Sequence, residues 1–326
     1  MKQFFSKMNR ILFLLILAGI AINGFSQSKK DAVDAYNQGV SLLKTKPAEA
    51  IDALNKCIKI SEQLGEEGTD TKGNAEQQLP TAFYGAALNQ YKQKKIDAAI
   101  KGFEKTRVVA LKYKNEEIAK KSEKIIPQLY YTKGSVQLKN KDYDGAMVAY
   151  NKSLELMPNL AKAELRKGQV YKIKGDFDQM LMSLDKAIEL GMTIHDRKTV
   201  SAAEKLARNT MYNSAVSSIE KKNWVNAEGY LKKTIEYGNQ SPVAYYQLGK
   251  VYNNQKKWDA AVKNILRAVE LDKGEAPAKA KYFFELGNSY KAQGKNTQAC
   301  DAYKKALYGA YEANAKYQIE TVLKCK

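Results

Sequence analysis

The chain has 326 residues with only 6 Pro and 3 Cys, a length that suits two ordinary domains or one long repeat array and a composition that excludes a disulfide scaffold. Its 54 Lys and Arg against 35 Asp and Glu give a formal charge of +19, yet only six of the basic residues are Arg, the residue whose planar fork suits phosphate, so no nucleic-acid partner is expected. One His, and no Gly-rich phosphate loop, nucleophile elbow or His/Cys metal cluster, leave catalysis, metal binding and cofactor binding without residues to carry them.

The first element in chain order is a targeting segment. Lys2, Lys7 and Arg10 precede the apolar run ILFLLILAGIAI, residues 11–22, and small residues follow at Gly24 and Ser26. That order is a secretory leader cut after Ser26. The run would span about 18 Å as a helix against a hydrocarbon core of roughly 30 Å, so it is too short for a lasting anchor. No Cys follows it to carry a lipid. The expected mature chain begins at Gln27, resides in the periplasm, and meets the outer membrane only through partners. Loss of Lys2, Lys7 and Arg10 leaves it a charge of about +16.

Beyond the leader one phrase is written seven times. Aligning YYQLGKVY (245–252) with YFFELGNSY (282–290), a small residue recurs as Gly39, Ala87, Gly134, Gly168, Ala215, Gly249 and Gly287. Twelve residues on stands a second small residue, Ala99, Ala146, Ala227, Ala261 and Ala299, with Met180 in the fourth copy and Ala50 one place early in the first. Four further on is a bulky group: Leu54, Phe103, Tyr150, Leu184, Leu231, Ile265 or Tyr303. Three more, and Cys57, Thr106, Ser153, Ala187, Thr234, Ala268 and Ala306 are small again. Apolar spacing of three and four predicts two helices per copy, with small residues where they cross and large ones beside them. Polar stretches such as NKD, KGD, QKK and QGK, at 140, 174, 255 and 293, mark the turns, and Tyr143, Phe177 and Trp258 anchor them. The chain is therefore predicted all-α.

Two inserts of thirteen residues, KNEEIAKKSEKII and HDRKTVSAAEKLA (195–207), break the spacing and predict lengthened first helices. The stretch GEEGTDTKGN, 65–74, is expected to be a loop, and residues 311–325 a single capping helix over the exposed end of the array.

The register resembles the tetratricopeptide repeat. The copy from Pro242 matches through Tyr245, Leu248, Gly249, Tyr252, Ala261, Ile265 and Ala268, and the copy from Ala280 through Phe283, Leu286, Gly287, Tyr290, Ala299, Tyr303 and Ala306. The copy from Pro127 carries Tyr130, Gly134, Ala146, Tyr150 and the closing Pro158, while those from Ala161 and Arg208 depart at Met180 and Met211. The resemblance implies an α-solenoid, a right-handed superhelix of about seven units near 32–65, 80–113, 127–160, 161–194, 208–241, 242–275 and 280–313, forming a single array over 27–326. It further implies a concave groove lined by first helices. At the groove-facing position stand Tyr36, Tyr84, Tyr131, Leu165, Tyr212, Tyr246 and Phe284, bordered by Lys92, Lys139, Lys250 and Asn288.

An aromatic row edged with ammonium groups suits an extended, acidic polypeptide. Packing between repeats is the competing role for the same tyrosines. The family's chaperone-tail clamp is absent, because Val40, Leu88, Ser135, Gln169 and Val216 occupy its asparagine position in five copies. The expected function is a non-catalytic interaction scaffold of the cell envelope, similar to periplasmic repeat proteins of Gram-negative bacteria that serve assembly or secretion. The alternative is an electrostatic binder of an anionic envelope polymer or membrane surface. Cys300 and Cys325 form a candidate disulfide, against which stands a mismatch of about four residues, or roughly 6 Å along the axis. Cys57 is expected to be a packing residue, and His195, alone in an insert, to be incidental.

Intact-mass spectrometry of the protein isolated from its native cell is expected to give a chain starting at Gln27. Retention of residues 1–26 would remove both the cleavage and the periplasmic address.

Overall fold

Helix follows helix through residues 28–238 and 241–326, which are the residues described by a computed structural model; the leader lies outside them. No strand occurs among these residues. Two compact units divide the chain at Pro158 and Asn159. The first holds α1 (Lys29–Leu42), α2 (Pro47–Gln63), α3 (Thr69–Lys92), α4 (Ile96–Lys112), α5 (Glu116–Lys139) and α6 (Tyr143–Leu156). The second holds α7 (Ala161–Lys174), α8 (Phe177–Thr193), α9 (Arg197–Glu220), α10 (Trp224–Glu236), α11 (Pro242–Asn254), α12 (Trp258–Leu271), α13 (Ala276–Ala292), α14 (Asn296–Lys305) and α15 (Glu312–Tyr317). Within each unit, successive helices pack on one another as an α-solenoid.

The crossing of each pair is set by the register. All seven bulky residues, from Leu54 to Tyr303, are fully buried, as are the small residues four before and three after them. Opposite them the first helix offers glycine in five copies and only the methyl of Ala87 and Ala215 in the other two. A Cβ on Gly168 would fall 2.6 Å from Leu184, on Gly249 2.5 Å from Ile265, and on Gly287 2.6 Å from the Tyr303 ring. Those helices touch through backbone on one side and a large side chain on the other.

One turn chemistry joins the pairs. Lys94, Lys141, Lys222 and Lys256 adopt φ between 56° and 63°, and Gly175 and Gly294 take the same place in two more turns, while the shorter first turn, 43–46, has no such residue. The next residue donates its N–H to the carbonyl five places back, as in Asp142 to Gln137 (2.9 Å) and Asn223 to Ser218 (2.8 Å), which closes the first helix. In three turns that residue, Asp142, Asp176 or Asn223, also accepts from the N–H of Gly145, Gln179 or Asn226 and so opens the second helix.

Both inserts extend the helix that follows. α5 and α9 each have 24 residues against 14 in α7 and 13 in α11. Asn115 and Asp196 cap them, accepting from the N–H of Ile118 and Thr199. The expected loop over 65–74 is corrected: a 3₁₀ turn spans Gly65–Gly68 and α3 starts at Thr69. Thr71, Ala75, Leu79 and Ala82 are buried at helical spacing, and the last three join Leu54 and Cys57 of α2 in one cluster. That packing overrides the weak helix propensity of Gly, Thr and Asp.

The C-terminal cap is also shorter than the expected helix over 311–325. α15 runs into a wide π turn, Gln318–Val322, and ends there. Ile319 and Leu323 pack on the cluster of Ala299 and Tyr303. Cys325 is bonded to Cys300 of α14 with Cα atoms 5.9 Å apart, which ties the cap to the last repeat. Cys57 is a buried free thiol whose pKa burial pushes up.

Two substitutions in α11 and its turn are expected to act with opposite signs in urea unfolding. Lys256→Gly relieves a left-handed backbone and raises stability by about 0.5–1 kcal/mol. Gly249→Ala forces a methyl into Ile265 and lowers it by about 1–3 kcal/mol.

Candidate functional site

Each residue expected in the groove lies on a first helix and is half-buried, apart from Lys92 and Lys139, which are exposed. In the first unit the rings lean on the second helix of their own copy. Tyr84 meets Phe103 edge-on at 5.3 Å between centroids, and Tyr131 meets Tyr150 at 5.9 Å. Tyr36 packs on the cluster that holds Leu54. Part of every ring therefore serves the core, and its remaining edge faces outward. Lys92 and Lys139 make no ion pair among the described residues and are available to an anion.

In the second unit the row ends differently. Tyr246 meets Tyr282 of the next first helix at 5.2 Å, and Phe284 meets Tyr303 at 5.6 Å. Tyr311, from the turn before α15, lies against Phe284 at 5.5 Å between ring centroids. Burial, together with Tyr311 and Glu285, pushes the Tyr246 phenol well above its ordinary value. Lys250 stands 5.6 Å from the Tyr246 ring, and Asn288 accepts from the Tyr303 hydroxyl at 2.8 Å. This end of the row is covered by Tyr311, a contact that the repeat pattern does not announce because Tyr311 stands at none of the register positions.

Tyr212 is the open position of the second unit. It borders a hollow of about 400 Å³ with Arg208, Asn209 and Asn213 from the middle of α9 and with Ser241 and Val243 at the start of α11. The polar neighbours were absent from the expected site, although Arg208, Asn209 and Asn213 flank Tyr212 in sequence.

Between successive repeats the second unit uses tyrosine as a wedge. Tyr252 of α11 is buried against α10, its hydroxyl 3.4 Å from Glu228. Lys232 and Lys257 bind the same carboxylate at 2.6 and 2.8 Å. Burial disfavours the charged carboxylate, but the hydrogen bonds from Lys232, Lys257 and Gln255 outweigh it and bring Glu228 down to about 2. No group of three or more His, Cys, Asp or Glu among the described residues could hold a metal ion. None of the described helices is long and apolar enough to cross a membrane.

Comparison with known proteins matches the family described as tetratricopeptide repeat at residues 127–160, 161–190 and 242–275, and a second profile of the same description at 282–308. A TPR repeat-containing protein of Methanocaldococcus jannaschii is 21% identical over 296 residues, which cover 88% of this chain and 46% of the relative. The chain thus spans about half the length of the curated relative it matches. Among solved structures, MamA is 22% identical at a TM-score of 0.32, with 60% of this chain and 94% of MamA covered. YrrB, titled a TPR protein with an unusual peptide-binding site, is 21% identical at 0.32, with 58% and 90% covered.

The low Glu228 pKa predicts acid sensitivity. Its folded value lies below the ordinary 4.5, so its contribution is complete above about 4.5 and lost as pH falls toward 2. Between about pH 5 and pH 2.5 the unfolding free energy should fall by roughly 1–3 kcal/mol more in the wild type than in Glu228→Gln. Parallel curves would show that the carboxylate is not held by its lysines.

Proposed function

With tetratricopeptide repeats over 127–190, 242–275 and 282–308, this is a tetratricopeptide-repeat protein, and we propose that it is a non-catalytic scaffold that holds a polypeptide segment on its first-helix face. The observation that carries the reading is the Tyr212 hollow, where an aromatic side, an Arg and two Asn amides meet in one open site. Such a mixture gives an extended chain both apolar contact and partners for its backbone. Exposed Lys92 and Lys139 beside half-buried Tyr84 and Tyr131 favour acidic segments on the first unit. We also propose export to the periplasm and a role in an envelope assembly, for which the leader at residues 1–26 is the support.

A second reading, an electrostatic binder of an anionic polymer or membrane surface, draws on the lysines at the turns. Lys94, Lys141, Lys222 and Lys256 are exposed at equivalent turns, and the charge excess of the chain is almost wholly Lys. Salt separates the two. Exposed charges are screened beyond about 8 Å at physiological ionic strength, while aromatic contacts largely persist.

A photoreactive amino acid placed at Tyr212, and for control at Met182, which is 64% exposed on α8, tests the face in intact cells and again in lysate with added salt. The expected result is a polypeptide adduct from position 212, absent from 182, that survives high salt. Equal adducts from both positions, or none at 212, would overturn the groove, and loss of every adduct in salt favours the polyanion reading.

A further inference from the structure

Two repeat interfaces of the second unit are each closed by a tyrosine at one register position, Tyr252 and Tyr290, both packed in the same apolar cluster. At the corresponding place in the preceding repeat stands Ser218, and seven residues into that repeat stands Ser214, where the later copies have Leu248 and Leu286. The Ser218 side chain turns back on its own helix, its hydroxyl donating to the Ser214 carbonyl at 2.8 Å. The space that a tyrosine fills elsewhere is left as a hollow of about 730 Å³ between α7, α8, α9 and α10.

Its lining has a distinct chemistry. Phe177 and Tyr230 supply two rings, and Thr210, Asn213, Ser217 and Asn226 supply hydroxyls and amides. Lys172 and Lys221 also line it, and both are exposed. Neither lysine enters an ion pair among the described residues, and the lining has no carboxylate. A hollow walled by rings and bordered by two ammonium groups, with room for more than a tyrosine side chain, fits a planar ring carrying a negative charge.

We propose that this hollow is a binding site for an aromatic ring bearing a carboxylate within a few bonds. The ring takes the place of the missing tyrosine between Phe177 and Tyr230, and the carboxylate meets Lys172 and Lys221. The chemistry has two sources, a free aromatic acid or an aromatic residue next to an acidic one in a peptide. The site shares Asn213 with the Tyr212 hollow but does not rest on a polypeptide binding there.

Ligand-observed NMR on the purified full chain tests it with 4-hydroxyphenylacetate and with N-acetyl-glutamyl-tyrosine amide, using N-acetyl-glutamyl-alanine amide as the ringless control. Saturable binding of at least one ring-bearing probe, with a Kd on the order of 1 mM, is expected, and none of the control. Two plugs copy residues that the chain itself uses at these positions, Ser218→Tyr and Ser214→Leu, so a failure of one to fold leaves the other. Each folded plug should weaken binding by about tenfold or more, and Lys172→Gln with Lys221→Gln by several-fold, on the order of 1 kcal/mol, at low salt. Preference for the free acid or for the dipeptide assigns the source. No saturable binding of either ring-bearing probe, equal binding of the control, or binding unchanged by the folded plugs would overturn the site.

Discussion

The structure depends on one contact repeated along the chain: a residue with little or no side chain on a first helix against a large buried side chain on the second. Because Gly249 and Gly287 present only backbone, Ile265 and Tyr303 reach the helix surface and become fully buried. The close approach aligns the helices, and the alignment brings each pair against the next. Each pair alone would leave one face open, so the array gains its core only by stacking. The same crossing tolerates different large groups, from Leu54 to Tyr150, because the small partner imposes no shape of its own.

Charge and turn chemistry are linked in this chain. The left-handed residue that ends a first helix favours glycine, yet four of the six turns that have one use Lys. Each such Lys bears a local backbone cost of order 1 kcal/mol and sets an ammonium group in solvent at the same place in its repeat. The excess of Lys over acidic residues is thus concentrated partly by the architecture, since the turns recur on the same edge of each helix pair. Few of these charges contribute to stability, because exposed pairs are worth little; Glu228, held between two lysines and a tyrosine, is the partly buried exception.

The aromatic row has two duties that cannot be separated residue by residue. Tyr84 and Tyr131 lean on Phe103 and Tyr150 and expose only an edge, so the ring that offers contact to a ligand also covers the core. In the second unit Tyr311 lies against Phe284 and covers its outer edge. The disulfide from Cys300 to Cys325 fastens the cap that follows Tyr311. The open hollows of the second unit thereby lie where the repeat pattern is weakest, around Tyr212 and Ser218.

Periodicity by itself determined the helix pairs, their crossings and the tetratricopeptide register, because burial at every copy demands the same small and large residues and leaves a direct trace in the sequence. The long helices α5 and α9 were likewise readable from their inserts, whose composition favours helix. Residues 65–74 were not, since their local preference is for a loop and only the contact of Ala75 and Leu79 with α2 makes them helical. Nor was the short cap with its π turn, or the meeting of Tyr311 with Phe284, because Tyr311 and the residues after it stand at none of the register positions. Copy 5 departs in the sequence at Met211, and it also carries Ser214 and Ser218 where later copies have Leu and Tyr. That the departure opens a hollow with Phe177, Tyr230 and two unpaired lysines around it was decided by tertiary packing alone. A missing side chain becomes a site only when the neighbouring helices do not close over it.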